Sequence, residues 1–211
     1  MVDLPAGCPS WRPGIRRSAS LVNKLLRLAR YDAREPAPAP RPIDLAQHAV
    51  DTIARLTPLA GSRSIDLGIT RRDKAVTNGA LADLEIILDN LVENAVLYTP
   101  PSGTVDVAVM VAGQEARIEI RDTGPGIAEE ELPRVFERSF RAMPQDGEGS
   151  GLGLAIAKAA AERQEVRLTL AMREDEPGLI ACLVVRLAPN EGVALVPLTR
   201  EIANGMITII E

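Results

Sequence analysis

Apolar side chains between residues 17 and 33 recur every three or four positions, at Leu21, Val22, Leu25, Leu26, Leu28 and Ala29, with Lys24, Arg27 and Arg30 between them. That period predicts an amphipathic helix, and one this short needs a partner to bury its stripe. Glu35 to Pro42 reads EPAPAPRP, a stiff extended linker. After it, Asp44 predicts a helix N-cap for a helix to about Ala60. Residues 64–70 alternate as a strand. Residues 80–98 carry a broad apolar face of Leu81, Leu84, Ile87, Leu88, Leu91, Val92 and Ala95, and predict a strong helix. Residues 104–111 and 116–121 alternate around Ala112-Gly113-Gln114-Glu115, which predicts a hairpin. A second long helix is expected over 152–164, then a strand pair at 166–172 and 179–187. Helices and paired strands in this order suit an α/β two-layer sandwich, with helices covering one face of a mixed β-sheet.

Five segments follow: an irregular leader (1–16), the lone helix (17–34), the Pro-rich linker (35–42), one cored domain (43–189) and a tail (190–211). The tail's VALVPL and MITII stretches read as an edge strand or an exposed hydrophobic end. Only 2% of residues are aromatic, so Leu, Ile, Val and Ala must build the core. A formal charge of −5 argues against nucleic acid as the main partner. Cys8 and Cys182 stand far apart with no metal-like spacing, which suggests plain thiols in a reducing compartment. With no long apolar run and no basic-then-apolar start, the sequence predicts a cytoplasmic, soluble chain without a membrane segment.

Three clusters could do chemistry. Asn90 and Asn94 sit four apart on the 80–98 helix, so their amides share a face. Either that face is merely polar, or a polar ligand lies along it; amide oxygens can hold Mg²⁺ when ATP phosphates complete the shell. Asp122 ends a strand and is followed by Gly124 and Gly126. It could accept from the exocyclic amine of adenine, while the glycines let backbone pass close to a flat base; a plain turn reads the same way. Gly147, Gly149, Gly151 and Gly153 lead into the last helix. They form either a flexible loop or a phosphate cradle of backbone N–H groups at a helix N-terminus. Both phenylalanines of the chain, Phe136 and Phe140, lie between these clusters, with Arg141 as a cation in reach of phosphate. Residues 143–148 read as a lid.

Taken in order, LDNLVENA (88–95), DTGPGI (122–127), VFERSFR (135–141) and GSGLGL (149–154) resemble the N, G1, F and G2 boxes of the ATP-binding domain of sensor histidine kinases. That domain belongs to the wider Bergerat-type group containing gyrase, Hsp90 and MutL. The resemblance implies a histidine kinase catalytic domain of a two-component system, with ATP and Mg²⁺ as cofactors. It implies Asn94 as the Mg²⁺ ligand and Asn90 as a phosphate-side contact. Tyr98 would stack near the adenine, and Asp122 would bind its amino group. Gly124 and Gly126 would shape the base pocket. Phe136, Phe140 and Arg141 would form the lid base, with Asn90 and Arg141 serving the transfer. Gly149, Gly151, Leu152 and Gly153 would cradle the phosphates. Residues 18–33 resemble the end of the second helix of the kinase dimerisation hairpin.

The resemblance also has gaps. The phosphoacceptor histidine, expected on a first hairpin helix, is absent. The one histidine, His48, stands in another helix and reads as a surface residue. Leu97 replaces a usual Lys or Arg, and Ser139 a common aromatic. A truncated or frame-shifted reading frame would account for the leader and the tail. Phosphoryl transfer would then run in trans, to a histidine on the dimerisation domain of a partner kinase and from there to a response regulator. Two alternatives are a non-catalytic nucleotide-binding regulator and a serine kinase of the anti-sigma type.

Overall fold

A computed structural model describes residues 11–33, 36, 38–141, 150–188 and 207–208. Helix α1 (Trp11–Asp32) precedes strand β1 (Arg41–Asp44), helix α2 (Leu45–Ser62), strands β2 (Asp66–Arg72) and β3 (Val76–Gly79), and helix α3 (Leu81–Tyr98). Strands β4 (Thr104–Ala112) and β5 (Glu115–Asp122) follow. A short 3₁₀ turn at Leu132–Arg134 leads to helix α4 (Gly153–Gln164), then β6 (Arg167–Met172), β7 (Leu179–Arg186) and β8 (Ile207–Thr208).

The main sheet runs β2-β4-β5-β7-β6-β8. Strands β2 and β4 are parallel and every other neighbouring pair is antiparallel, so the sheet is mixed. Helices cover one face of it, as the sequence pattern predicts. Val105, Val107 and Val109 of β4, Ala116, Ile118 and Ile120 of β5, and Leu168 and Leu170 of β6 alternate into a core with Leu84, Ile87, Leu88, Leu91, Val92 and Val96 of α3. Each such aliphatic side chain gains about 2 kcal/mol on full burial, so the core needs few aromatics.

Local chemistry sets the helix ends. The Asp44 carboxylate accepts from the N–H groups of Ala46 and Gln47, both at 3.0 Å, which caps α2. Helix α3 stops at Thr99 because Pro100 follows. Helix α4 begins at Gly153 without any side-chain cap, so its first N–H groups keep no partner from a capping side chain.

Three readings of the sequence differ from the structure. Helix α1 begins at Trp11, inside the stretch expected as an irregular leader. Arg41 and Pro42, expected in the linker, open β1, which pairs antiparallel with the unpredicted β3. Two residues of the tail's MITII stretch form β8 at the edge beside β6, one of the two alternatives given for it; residues 189–206, with VALVPL, lie outside the described residues. His48 is buried, not on the surface: it is 4% exposed. Its ring packs beneath α3 near the Leu84 backbone, and its Nε2 is buried with no hydrogen-bond partner. Leu45, His48, Ala49 and Thr52 are all buried, at helical spacing, so the histidine counts as part of the core face of α2.

Burial lowers the His48 pKa from the ordinary imidazole value, with Glu85, Arg55 and Asp89 as the nearby charges. The unfolded chain therefore binds the proton more readily than the native one, and stability is lost as pH falls below about 6.5. Thermal unfolding across pH 5–8 should show this acid-side loss. A His48→Gln variant should lack it; an unchanged acid limb would show that the loss arises elsewhere.

Among the described residues, no helix is long and apolar enough to cross a membrane. Cys182 is buried with its thiol pushed up to about 11, an inert group; Cys8 lies outside the described residues.

Candidate functional site

A cavity opens between α3, α4 and the strands β5, β6 and β7. Its non-protein space is about 770 Å³, part of it open to solvent. The expected site residues Asn94, Tyr98, Asp122, Gly124, Gly126, Phe140 and Arg141 all line it. Sequence reasoning missed its apolar walls: Leu91, Ala95 and Ile120 on one side, Leu154, Leu170 and Ala181 on another. These read only as core positions in sequence, because nothing local shows that the sheet floors a cavity there.

Asp122 sits at the inner end of this cavity and is 7% exposed. Its Oδ1 accepts from the Gly124 N–H at 2.8 Å and the Leu179 N–H at 3.3 Å. Both of these backbone donors go to one oxygen, so Oδ2 is left for a ligand. Burial raises the Asp122 pKa above the ordinary carboxylate value, and those two backbone donors and Arg173 counter it. Gly124 is required by contact. A Cβ there would lie 2.8 Å from Asp122 Oδ1 and 3.1 Å from the Tyr98 carbonyl oxygen. Gly126 packs against Met172, and Tyr98 at the rim is 39% exposed. The result is a largely apolar pocket with one carboxylate acceptor.

Asn90 does not line the cavity; it lies next to it, one helical turn before Asn94 on α3. Asn90 is 5% exposed; its Nδ2 donates to the Ile86 carbonyl at 2.7 Å, while its Oδ1 is buried with no hydrogen-bond partner. A buried acceptor without a partner costs about 1–3 kcal/mol unless a ligand or water satisfies it. Both asparagines face the start of α4. A Cβ built on Gly153 would stand 3.1 Å from Asn90 Oδ1 and 3.3 Å from Asn94 Oδ1. Two amide oxygens thus meet an uncapped helix N-terminus, which attracts anions.

The remaining expected residues divide. Phe136 turns into the core, whereas Phe140 lies at the cavity with the Arg134 guanidinium 4.6 Å from its ring centre. Gly151 packs on the backbone of Ser139, whose N–H donates to the Gly151 carbonyl at 3.0 Å. Leu152 is buried against Leu28 and Ile156, so only its backbone can serve a phosphate. The Leu97 carbonyl accepts from Arg63 at 2.9 Å. Gly149 and the expected lid at 143–148 lie outside the described residues.

Comparison with known proteins agrees with this geometry. The family model of histidine kinase-, DNA gyrase B- and HSP90-like ATPases matches residues 79–190, just over half of the chain. The sensor protein kinase PmrB of Pseudomonas aeruginosa is 36% identical over 136 residues, covering 64% of this chain and 28% of that protein. The chain therefore spans little more than a quarter of that relative's length. Among solved structures, the mycobacterial sensor histidine kinase MprB aligns at a TM-score of 0.60 and 28% identity, over 72% of this chain and 99% of that one. Full-length ShkA in complex with AMPPNP aligns at 0.73 and 25% identity, over 93% of this chain and 42% of that one. The chain belongs to the histidine kinase-, DNA gyrase B- and HSP90-like ATPases, and it carries the ATP-binding domain found in sensor histidine kinases.

Proposed function

We propose that this chain binds MgATP and passes the γ-phosphoryl group to a histidine on the dimerisation hairpin of a partner kinase, in trans. One observation carries the polar half of that reading: the partnerless Asn90 Oδ1 beside Asn94 and the uncapped α4 N-terminus. Asp122 would accept from the adenine amine, and Tyr98 and Ile127 would flank the ring. Arg141 would reach the phosphates. Among the described residues no cluster of acidic, His or Cys side chains is placed to hold a metal. The Asn94 amide oxygen would therefore hold Mg²⁺ together with phosphate oxygens, which suits a hard cation. Bound there, Mg²⁺ would neutralise phosphate charge.

In the transfer, an imidazole nitrogen lone pair forms the new N–P bond. The bond from the γ-phosphorus to its bridging oxygen breaks, and its electron pair leaves on ADP. The imidazole N–H proton goes to solvent. The chain's own residues bind and orient, which is most of what such a transfer needs. The exposed Leu21, Val22, Leu25 and Leu26 on α1 would receive the partner hairpin, from which the group would pass to a response regulator.

The test combines purified chain, Mg²⁺ and γ-labelled ATP, with and without an added hairpin carrying a phosphoacceptor histidine. Acid-labile, base-stable label on the hairpin is the expected result. ATP binding without transfer would instead favour a nucleotide-binding regulator, for which Leu97 in place of a cation speaks. Label on serine would favour an anti-sigma-type kinase.

A further inference from the structure

The ladder between β5 and β7 ends at Arg121 and Ile180, one residue short of Asp122. Beyond it, the turn between β6 and β7 takes over. The Leu179 N–H donates to Asp122 Oδ1 at 3.3 Å, and Arg173 Nη1 donates to the Asp122 carbonyl at 3.2 Å. Gly178 lets the turn come this close, since a Cβ there would lie 2.0 Å from that carbonyl oxygen. The neighbouring Met172 holds the other end of the same loop: its Sδ accepts from the Ile127 N–H at 3.3 Å. Residues 122–127 are thus held at both ends from Met172 and Arg173, and of the two only Arg173 carries charge.

Turn closure does not account for the placing of the Arg173 side chain. The turn is closed by its backbone, whose N–H donates to the Gly178 carbonyl at 3.1 Å. The side chain is 8% exposed, whereas Asp175 and Glu176, which its Nε and Nη2 bind, are exposed. Such acids can be met at the surface, for little gain. The guanidinium lies inward instead, and among the described residues its only partner outside the turn is Asp122. Charge points the same way. Arg173 is the one cation of a turn that also holds Glu174, Asp175 and Glu176. Burial disfavours the Asp122 carboxylate, and Arg173 opposes that. Tyr98 of α3 and Arg141 line the cavity as well, and Arg121 of β5 pairs with Glu119.

We propose that Arg173 is a positioning residue for the base: from behind the pocket it fixes the Asp122 backbone and keeps the free carboxylate oxygen a charged acceptor for an exocyclic amine. This rests on the assignment of the adenine amine to Asp122. Adenosine affinity is measured by calorimetry from pH 5 to 8 for the full chain and for Arg173→Gln, Arg173→Lys and Asp122→Asn. Arg173→Gln leaves behind only exposed carboxylates, so the fold should stand. Its acid-side fall in affinity should begin about one pH unit higher than in the wild type, which is a tenfold loss where both proteins are on that limb. Near pH 8 its affinity should stay within about threefold of the wild type. Arg173→Lys keeps the charge and should keep the wild-type limb. An arginine that only braces the turn would lower affinity equally at every pH or not at all. Either result overturns the proposal, as does an Arg173→Lys limb that matches Arg173→Gln. If Asp122→Asn binds adenosine as the wild type does, the base assignment fails. The ligand-free proteins then still decide the hold of Arg173 on Asp122. The loss of melting temperature as pH rises through the Asp122 folded value should continue about one unit higher in Arg173→Gln and be absent in Asp122→Asn. An unmoved loss overturns that hold.

Discussion

Asn94→Ala is expected to weaken MgATP binding at least about 100-fold, which corresponds to about 3 kcal/mol. Asn94 lines the cavity, and its amide oxygen faces the start of α4 beside Asn90. The substitution removes the proposed metal ligand, and with it the charge neutralisation that lets a triphosphate lie against this end of the pocket. Asn90 does not replace it, because its Oδ1 is buried and it does not line the cavity. Folding should be little affected, since Asn94 is only half-buried and alanine suits a helix interior. Titration calorimetry with MgATP, and with adenosine as the phosphate-free control, separates the two ends of the site. Adenosine binding should persist; wild-type affinity for MgATP would refute the metal assignment.

The second large effect concerns the base. Asp122→Asn keeps one side-chain oxygen to accept from the Gly124 and Leu179 N–H groups, but puts an amide donor where the free carboxylate oxygen stood. An amide N–H facing the adenine amine replaces a charge-assisted bond with two opposed donors, at a cost of about 2–3 kcal/mol. ATP affinity should fall roughly 30- to 100-fold. GTP, which presents a carbonyl at the same position, should lose less, so the ATP preference narrows. The same variant should not harm the fold. Burial raises the Asp122 pKa, so protonation favours the native state: that stability is fully present below the ordinary carboxylate value and is lost as pH rises through the folded value. A neutral amide at this position does not titrate and escapes the loss. The melting temperature of the variant at pH 7 should equal or exceed that of the wild type. A destabilised variant with unchanged ATP preference would place the base elsewhere.

The legible parts of the fold share one property, a clear period over enough residues. The α3 face from Leu84 to Val96, the β4–β5 hairpin around Gly113 and the Gly-led start of α4 all declare themselves in this way. Strands β1 and β3 do not. Four residues each, one carrying Pro42 and the other ending at Gly79, they exist because they pair with each other, a long-range bond that no local window contains. His48 misled for a related reason. An imidazole reads as polar, yet its place in line with Leu45, Ala49 and Thr52 buries it.

The site divides likewise. Asn90, Asn94, Asp122 and the glycines stand out in the sequence because the chemistry proposed for them needs particular residue types at fixed local spacing. That Leu170, Leu179 and Ala181 wall the same cavity does not, since β6 and β7 reach it only through sheet order. Nor could the sequence show that Leu152 spends its side chain on Leu28. By itself, then, the sequence determined the helix and strand periods, the capped start of α2 and the residue types that suit adenine, metal and phosphate. Only the tertiary structure decided which carboxylate oxygen stays free, that Asn90 Oδ1 is buried without a partner, and that Tyr31 reaches Asp83 from 52 positions away. Each of these depends on which surfaces the packed core brings together and seals from water, and that is a property of the whole chain.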